Sequence, residues 1–237
     1  APADSSFLEE LDLDEAERED AMSYASFNDF FTRTLKPDAR SIDEDLLSIV
    51  SPADGAVSQL GTIDDGTLLQ AKGHRYTVHS LAPGLANGFE QGSFITVYLA
   101  PSDYHRVHTP LAGKLTDSLA IPGELFSVNA TTESSIDSLF CRNERLVCRF
   151  DTTIGPVLVV MVGAMIVASI KTVWDGPISP YRQLEASRHQ LQFAKGAEMG
   201  QFLLGSTVIC CFAKDVMDLD PNLVPGTPVQ MGQAIGW

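Results

Sequence analysis

The chain reads as a β-rich α+β protein in which short N-terminal helices precede a compact sandwich or barrel-sandwich-hybrid-like core. Three observations carry that reading. Residues 1–40 form an N-terminal segment with helix-start signals. From Ile42 onward, short β-rich runs are broken about every ten residues by Gly, Pro and Asp. No Walker loop, no G-x-G-x-x-G after a strand and no fixed-period repeat is present, which removes nucleotide-binding and solenoid folds. No composition break divides residues 1–237, so one domain is expected.

Residues 1–36 have helical texture. Ser6 with Glu9 fits a capping box, and Ser26 with Asp29 introduces Phe27, Phe30 and Phe31 at i, i+3, i+4 spacing. An aromatic stripe at that spacing is read first as packing on the main domain, with a membrane-dipping patch as the alternative. Strand-like runs follow in IVSPADG, VSQLGTIDDG, FITVYLAPSD, LAGKL, LVCRFDTTIGP and VLVVMVGAMIVASIKTVWDG. Ser179 to Gly200 is polar and reads as an excursion, after which Phe202 to Phe212 returns to strand. An acidic, Pro-rich turn and the terminal TPVQMGQAIGW close the chain.

Composition narrows the function. Lys and Arg number 16 against 31 Asp and Glu, for a formal net charge of −15, and mean hydropathy is +0.04. Nucleic acids and anionic membranes are bound by Lys and Arg neutralising phosphates, so an acidic chain does not bind them by charge alone. No nucleic-acid partner is expected, and lipid contact has to be local. The four cysteines, Cys141, Cys148, Cys210 and Cys211, lack zinc-site spacing and fit a reducing compartment. The longest apolar stretch, Val157 to Ile170, contains Gly163 and falls short of the roughly 20 residues of a membrane span.

Three segments carry candidate chemistry. APSDYHRVHTP holds His105 and His108, a spacing that suits a metal pair, an acid/base pair or a structural turn. The flanking Pro101 and Pro110 favour a turn that brings both rings to one cleft. In SPADG, Asp54 either caps its own turn or orients a histidine. In KGAEMGQFLLGSTVICCF, Gly205 and Ser206 stand at the head of a strand. Leu204 and Val208 exclude the G-x-S-x-G elbow of α/β-hydrolases.

Together these segments resemble the phosphatidylserine decarboxylase proenzyme family. The likeness runs through SFNDFFTRTLKP, ARSI, SPADGAVSQLG, LQAKGHRYTV, YLAPSDYHRVHTP, IPGELFSVN, CRNERLVC, ASIKTVWDG and KGAEMGQFLLGSTVI. The family's L-G-S-T cleavage motif matches Leu204, Gly205, Ser206 and Thr207, its A-D-G aspartate matches Asp54, and its two motif histidines match His105 and His108.

The resemblance implies a self-cleaving proenzyme. Ser206 attacks the Gly205 carbonyl, leaving a β chain of residues 1–205 and an α chain of residues 206–237 capped by a pyruvoyl group. That group forms a Schiff base with the serine headgroup of phosphatidylserine, CO2 leaves, and phosphatidylethanolamine is released. Neither PLP nor a metal is required, because the pyruvoyl group is itself the electron sink. By the same likeness His108, partnered by Asp54, is the base for self-cleavage, and His105 is the acid/base of decarboxylation. Lys72, His74 and Arg75 in AKGHRY, Arg106, and Arg142 and Arg145 in CRNER are candidate donors to the phosphodiester, with Lys72, His74 and Arg106 put first, and Thr207 is a candidate oxyanion donor. A homodimer attached peripherally to the cytoplasmic face of the cell membrane is expected. Rival readings are a decarboxylase of another serine-headgroup lipid such as archaetidylserine, a serine hydrolase using Ser206, His108 and Asp54, and a biotinyl-like binding module.

Overall fold

The computed structural model describes residues 15–17, 23–164, 170–177, 179–203 and 206–237. The centre is an eight-stranded antiparallel sheet. Its order is β11 (Glu185–Phe193), β7 (Gly113–Ile121), β8 (Arg145–Thr152), β9 (Gly155–Val162), β13 (Ser206–Phe212), β5 (Ser93–Leu99), β2 (Gly55–Thr62) and β14 (Pro228–Val229). The apolar run VLVVMV explains why the middle of this sheet is buried on both faces. Along β9, Val157, Val159 and Met161 join one core while Leu158, Val160 and Val162 join the other. β13 divides in the same way, with Val208, Cys210 and Phe212 against Ile209 and Cys211. Each such side chain contributes about 1.5–3 kcal/mol on burial, so these two strands anchor the fold.

One face is covered by a three-stranded sheet, β10 (Ile170–Thr172), β12 (Glu198–Phe202) and β6 (Arg106–His108), and by the pair β1 (Ile49–Val50) with β15 (Ala234–Gly236). The other is covered by the hairpin β3 (Thr67–Ala71) and β4 (His74–Thr77) with the short helices α2 (Val78–Leu81), α3 (Ala130–Glu133) and α4 (Leu139–Arg142). The β-rich sandwich with few short helices is therefore as expected, and the eight-stranded sheet stays open.

Residues 206–237 are threaded through three places. β13 sits between β9 and β5, β14 pairs with β2, and β15 pairs with β1. A segment so interleaved stays in the fold without a core of its own.

Two local expectations change. The helical reading of residues 1–36 reduces, among the described residues, to α1 (Phe27–Phe31). Residues 15–17 instead run antiparallel to residues 34–36, with Ala16 bridged to Leu35 and the Glu17 N–H donating to the Thr34 carbonyl. The β-branched Thr32 and Thr34 and the approaching Pro37 favour an extended chain there. Ser6 and Glu9 lie outside the described residues. The polar excursion from Ser179 to Gly200 contains β11, an edge strand on β7. Its side chains are mostly solvated, so it carries little of the apolar alternation that marks a strand.

Candidate active site

α1 places the first wall of the site. Ser26 caps it, its hydroxyl accepting from the Asp29 N–H at 3.1 Å, and Phe30 and Phe31 are buried. The Phe31 ring lies 4.0 Å, centroid to centroid, from the imidazole of His105. The stripe is thus a packing face for two of its three aromatic residues, since the Phe27 side chain is outside the description.

His105 stands immediately before β6 and His108 ends it, so the strand, not a turn, sets their relation, and the two rings meet different partners. His108 Nδ1 lies 2.8 Å from the Gly196 carbonyl, which only accepts, so Nδ1 carries the proton. Its Nε2 lone pair then faces the Tyr104 hydroxyl at 3.1 Å. Burial lowers its pKa. His105 is built the same way, Nδ1–H donating to the Asp103 carbonyl at 2.7 Å. Its Nε2 is buried with no partner. Burial, with the positive charge of Arg33 adding in the same direction, pushes its pKa down to about 4. Both imidazoles are therefore neutral at pH 7 with the lone pair on Nε2, unmet in His105 and facing the Tyr104 hydroxyl in His108.

Asp54 does not reach either ring as a hydrogen-bond partner. Its carboxylate is gripped by Arg40, through Nε at 3.0 Å and Nη2 at 2.5 Å, and accepts from the Met231 N–H at 2.8 Å. Arg40 also binds Glu15 at 2.6 Å. Burial alone would lower the Arg40 pKa, but these two carboxylates hold it above its usual value. The tautomer-fixing role that the resemblance gives Asp54 is filled at His108 by the Gly196 carbonyl. Gly55, beside Asp54, has φ +150°, and a Cβ there would stand 2.1 Å from the Tyr98 carbonyl, so the A-D-G turn requires glycine.

The strand end that precedes Leu204 is tied to His105 through the backbone. The Phe202 N–H at the end of β12 donates to the His105 carbonyl at 2.9 Å, and β13 begins four residues later with Ser206 paired to Leu99. Leu204 and Gly205, and the Ser206 side chain, are outside the description. The Thr207 hydroxyl is buried and unpartnered.

The other candidates divide. Lys72 and His74 belong to the β3–β4 hairpin, across the central sheet from the histidines, and His74 faces Asp137 at 3.4 Å. Arg106 is committed to structure, its Nη1 on both oxygens of Glu198 at 2.9 and 3.0 Å and its Nε and Nη2 on the Thr32 carbonyl. Three residues not singled out in the sequence line two clefts or stand by the histidines. Arg40 and Arg33 stand in ARSI and FFTR, and Tyr104 beside the histidines, so the motifs held them without marking their chemistry. Arg33 lines both a cleft of about 650 Å³, with Thr34, Arg106 and Lys171, and a smaller one of about 240 Å³, with Arg40, Asp54, Asp103 and Tyr104. Among the described residues no group of three or more His, Cys, Asp or Glu is placed to hold a metal ion.

Two buried, neutral imidazoles, each with its Nδ1–H committed to a backbone carbonyl and its lone pair on Nε2, are a pair fit for acid/base chemistry. The chain belongs to the phosphatidylserine decarboxylase family, whose model matches residues 27–237. It is 54% identical over 228 residues to the phosphatidylserine decarboxylase proenzyme of Acinetobacter baylyi, covering 95% of this chain and 80% of that protein. The proenzymes of Acinetobacter baumannii and Pseudomonas fluorescens are each 51% identical, over 95% and 96% of this chain and 81% and 82% of their own lengths.

Proposed function

We propose that this chain is a self-cleaving proenzyme that decarboxylates phosphatidylserine to phosphatidylethanolamine, with Ser206 as the source of its pyruvoyl group. The observation that carries the reading is the buried, unpartnered Nε2 of His105 next to the strand end that leads into Gly205 and Ser206. A buried acceptor left without a donor costs about 1–3 kcal/mol and is retained where a reacting group will meet it. The unpartnered Thr207 hydroxyl can donate to a carbonyl group at residue 206.

Serine is a weak nucleophile until a base takes its proton. We assign that base to His108 Nε2, which the Gly196 contact keeps as the lone-pair nitrogen. Attack of Ser206 Oγ on the Gly205 carbonyl converts the amide to an ester. Elimination frees the Gly205 carboxylate, and hydrolysis of the resulting dehydroalanine releases ammonia. The pyruvoyl group supplies the sink for the electron pair freed when CO2 departs. His105 Nε2, neutral at pH 7, takes a proton from the substrate ammonium and returns one to the substrate α-carbon. Phe31 and the burial around it keep water from that nitrogen. Asp54 acts by locking Arg40 against the wall of the smaller cleft.

Attachment to the cytoplasmic face of the membrane and assembly as a homodimer belong to the same proposal. The lipid substrate supports the first and family likeness the second. No helix among the described residues is long and apolar enough to cross a membrane.

Intact-mass spectrometry of the purified chain, before and after borohydride, tests the central step. Two fragments divided at Gly205–Ser206 are expected, the smaller shifting on reduction. His108→Ala is expected to stay whole, whereas His105→Ala is expected to cut and then turn over phosphatidylserine at least about 100-fold more slowly. Equal failure of both variants to cut would reject the division of labour.

A further inference from the structure

Resting on the reading above, we infer that Arg33 is the residue that holds the phosphodiester of the lipid headgroup. Arg33 is 5% exposed, and of its three guanidinium nitrogens only Nη2 is engaged, donating to the Ser102 carbonyl at 3.0 Å. Nε and Nη1 are buried with no partner. The Phe30 ring, 5.4 Å from the guanidinium carbon, backs one side of the group without satisfying it. A buried cation in this condition is costly unless an anion completes it.

The nearby carboxylates do not complete it. Asp54 is spent on Arg40 and the Met231 N–H, and Asp103 accepts from the Ala100 N–H at 2.7 Å. Arg33 lines both clefts, and its guanidinium lies near enough to His105 for its charge to be felt there. An oxyanion entering from either cleft would meet N–H donors on Nε and Nη1 that no protein acceptor has taken.

The substrate carries two oxyanions, a carboxylate and a phosphodiester. A cation on the carboxylate would stabilise the ground state and lose its partner as CO2 forms, raising the barrier. A cation on the phosphodiester is indifferent to the loss of CO2 and fixes the headgroup while the amine reaches residue 206. The phosphodiester is therefore the group assigned to Arg33.

Titration calorimetry with glycerophosphoethanolamine, which has the phosphodiester and no carboxylate, and with L-serine, which has the converse, separates the two oxyanions. Calorimetry does not depend on self-cleavage, so Arg33→Gln and Arg33→Lys are read whether or not they cut. Arg33→Gln is expected to weaken glycerophosphoethanolamine binding about 10- to 100-fold, the factor carried by a charged hydrogen bond, and to leave L-serine binding unchanged. Arg33→Lys should recover part of the loss. In cleaved protein, KM for phosphatidylserine should rise by the same factor with kcat within about threefold, the mark of uniform binding. Loss of L-serine binding instead, unchanged affinities, or no glycerophosphoethanolamine binding by the unaltered chain would overturn the assignment. An unaltered chain that binds the phosphodiester through Arg33 but leaves phosphatidylserine intact would overturn the decarboxylase reading alone.

Discussion

Arg145 and Arg33 are buried almost equally, 4% and 5% exposed, on opposite faces of the central sheet, and burial lowers the pKa of both. Arg145 donates to four carbonyls, those of Leu81, Cys141, Asn143 and Ser80, at 2.7–3.0 Å. Arg33 donates to one. Arg145 ties α2 and α4 to the edge of β8, so its cost of burial is offset by satisfied backbone acceptors that would otherwise be orphaned. Arg33 has no such return in the folded chain. The contrast teaches that burial alone does not identify a functional cation, whereas burial with idle donors beside a cleft does.

The contrast breaks or holds under one pair of substitutions. Arg145→Met should lower unfolding free energy by about 3 kcal/mol or more, since four acceptors lose their donor. Arg33→Met should leave it within about 1 kcal/mol of the unaltered protein, or raise it, because an unpaired buried charge is removed. Urea unfolding followed by tryptophan fluorescence reads both, and equal destabilisation would erase the distinction.

Acid sharpens the comparison on the Arg33 side. His105 has a folded-state pKa pushed to about 4, below its usual 6.5, so between those values the unfolded chain binds more protons. Stability should therefore fall as pH drops from about 6.5 to 4, by up to roughly 1.4 kcal/mol per pH unit from this residue. His108 is shifted in the same direction and adds to the slope. His105→Gln should flatten that limb in unfolding curves taken across the range, and an unchanged slope would contradict a buried neutral imidazole.

The smallest effects are expected on the far face. Lys72→Gln removes an exposed charge and His74→Gln a half-buried ring that loosely faces Asp137. Each should change stability by less than about 0.5 kcal/mol and leave KM unmoved. A large rise in KM would return the β3–β4 hairpin to the substrate site.

Much of this was legible in the chain before folding. The β9 run showed a buried strand because six successive apolar residues suit a sheet covered on both faces. The Asp54–Gly55 step showed a turn because only glycine fits φ +150° against a neighbouring carbonyl. β11 was not legible, since an edge strand facing solvent carries no apolar period. Lys72, His74 and Arg106 were drawn in by charge alone, and charge does not reveal which cations have already spent their donors.

The sequence by itself determined the β-rich sandwich, the family, and the presence of His105, His108, Asp54 and the Gly205–Ser206 step, because alternation, turn chemistry and motif order are properties of neighbouring residues. Tertiary structure decided the pairings. Asp54 meets Arg40 and the backbone of Met231, 177 positions away, and His108 meets Gly196, 88 positions away. Satisfaction of a buried donor depends on atoms brought together from distant strands, so no local pattern could show that Arg33 keeps two of its nitrogens unpartnered.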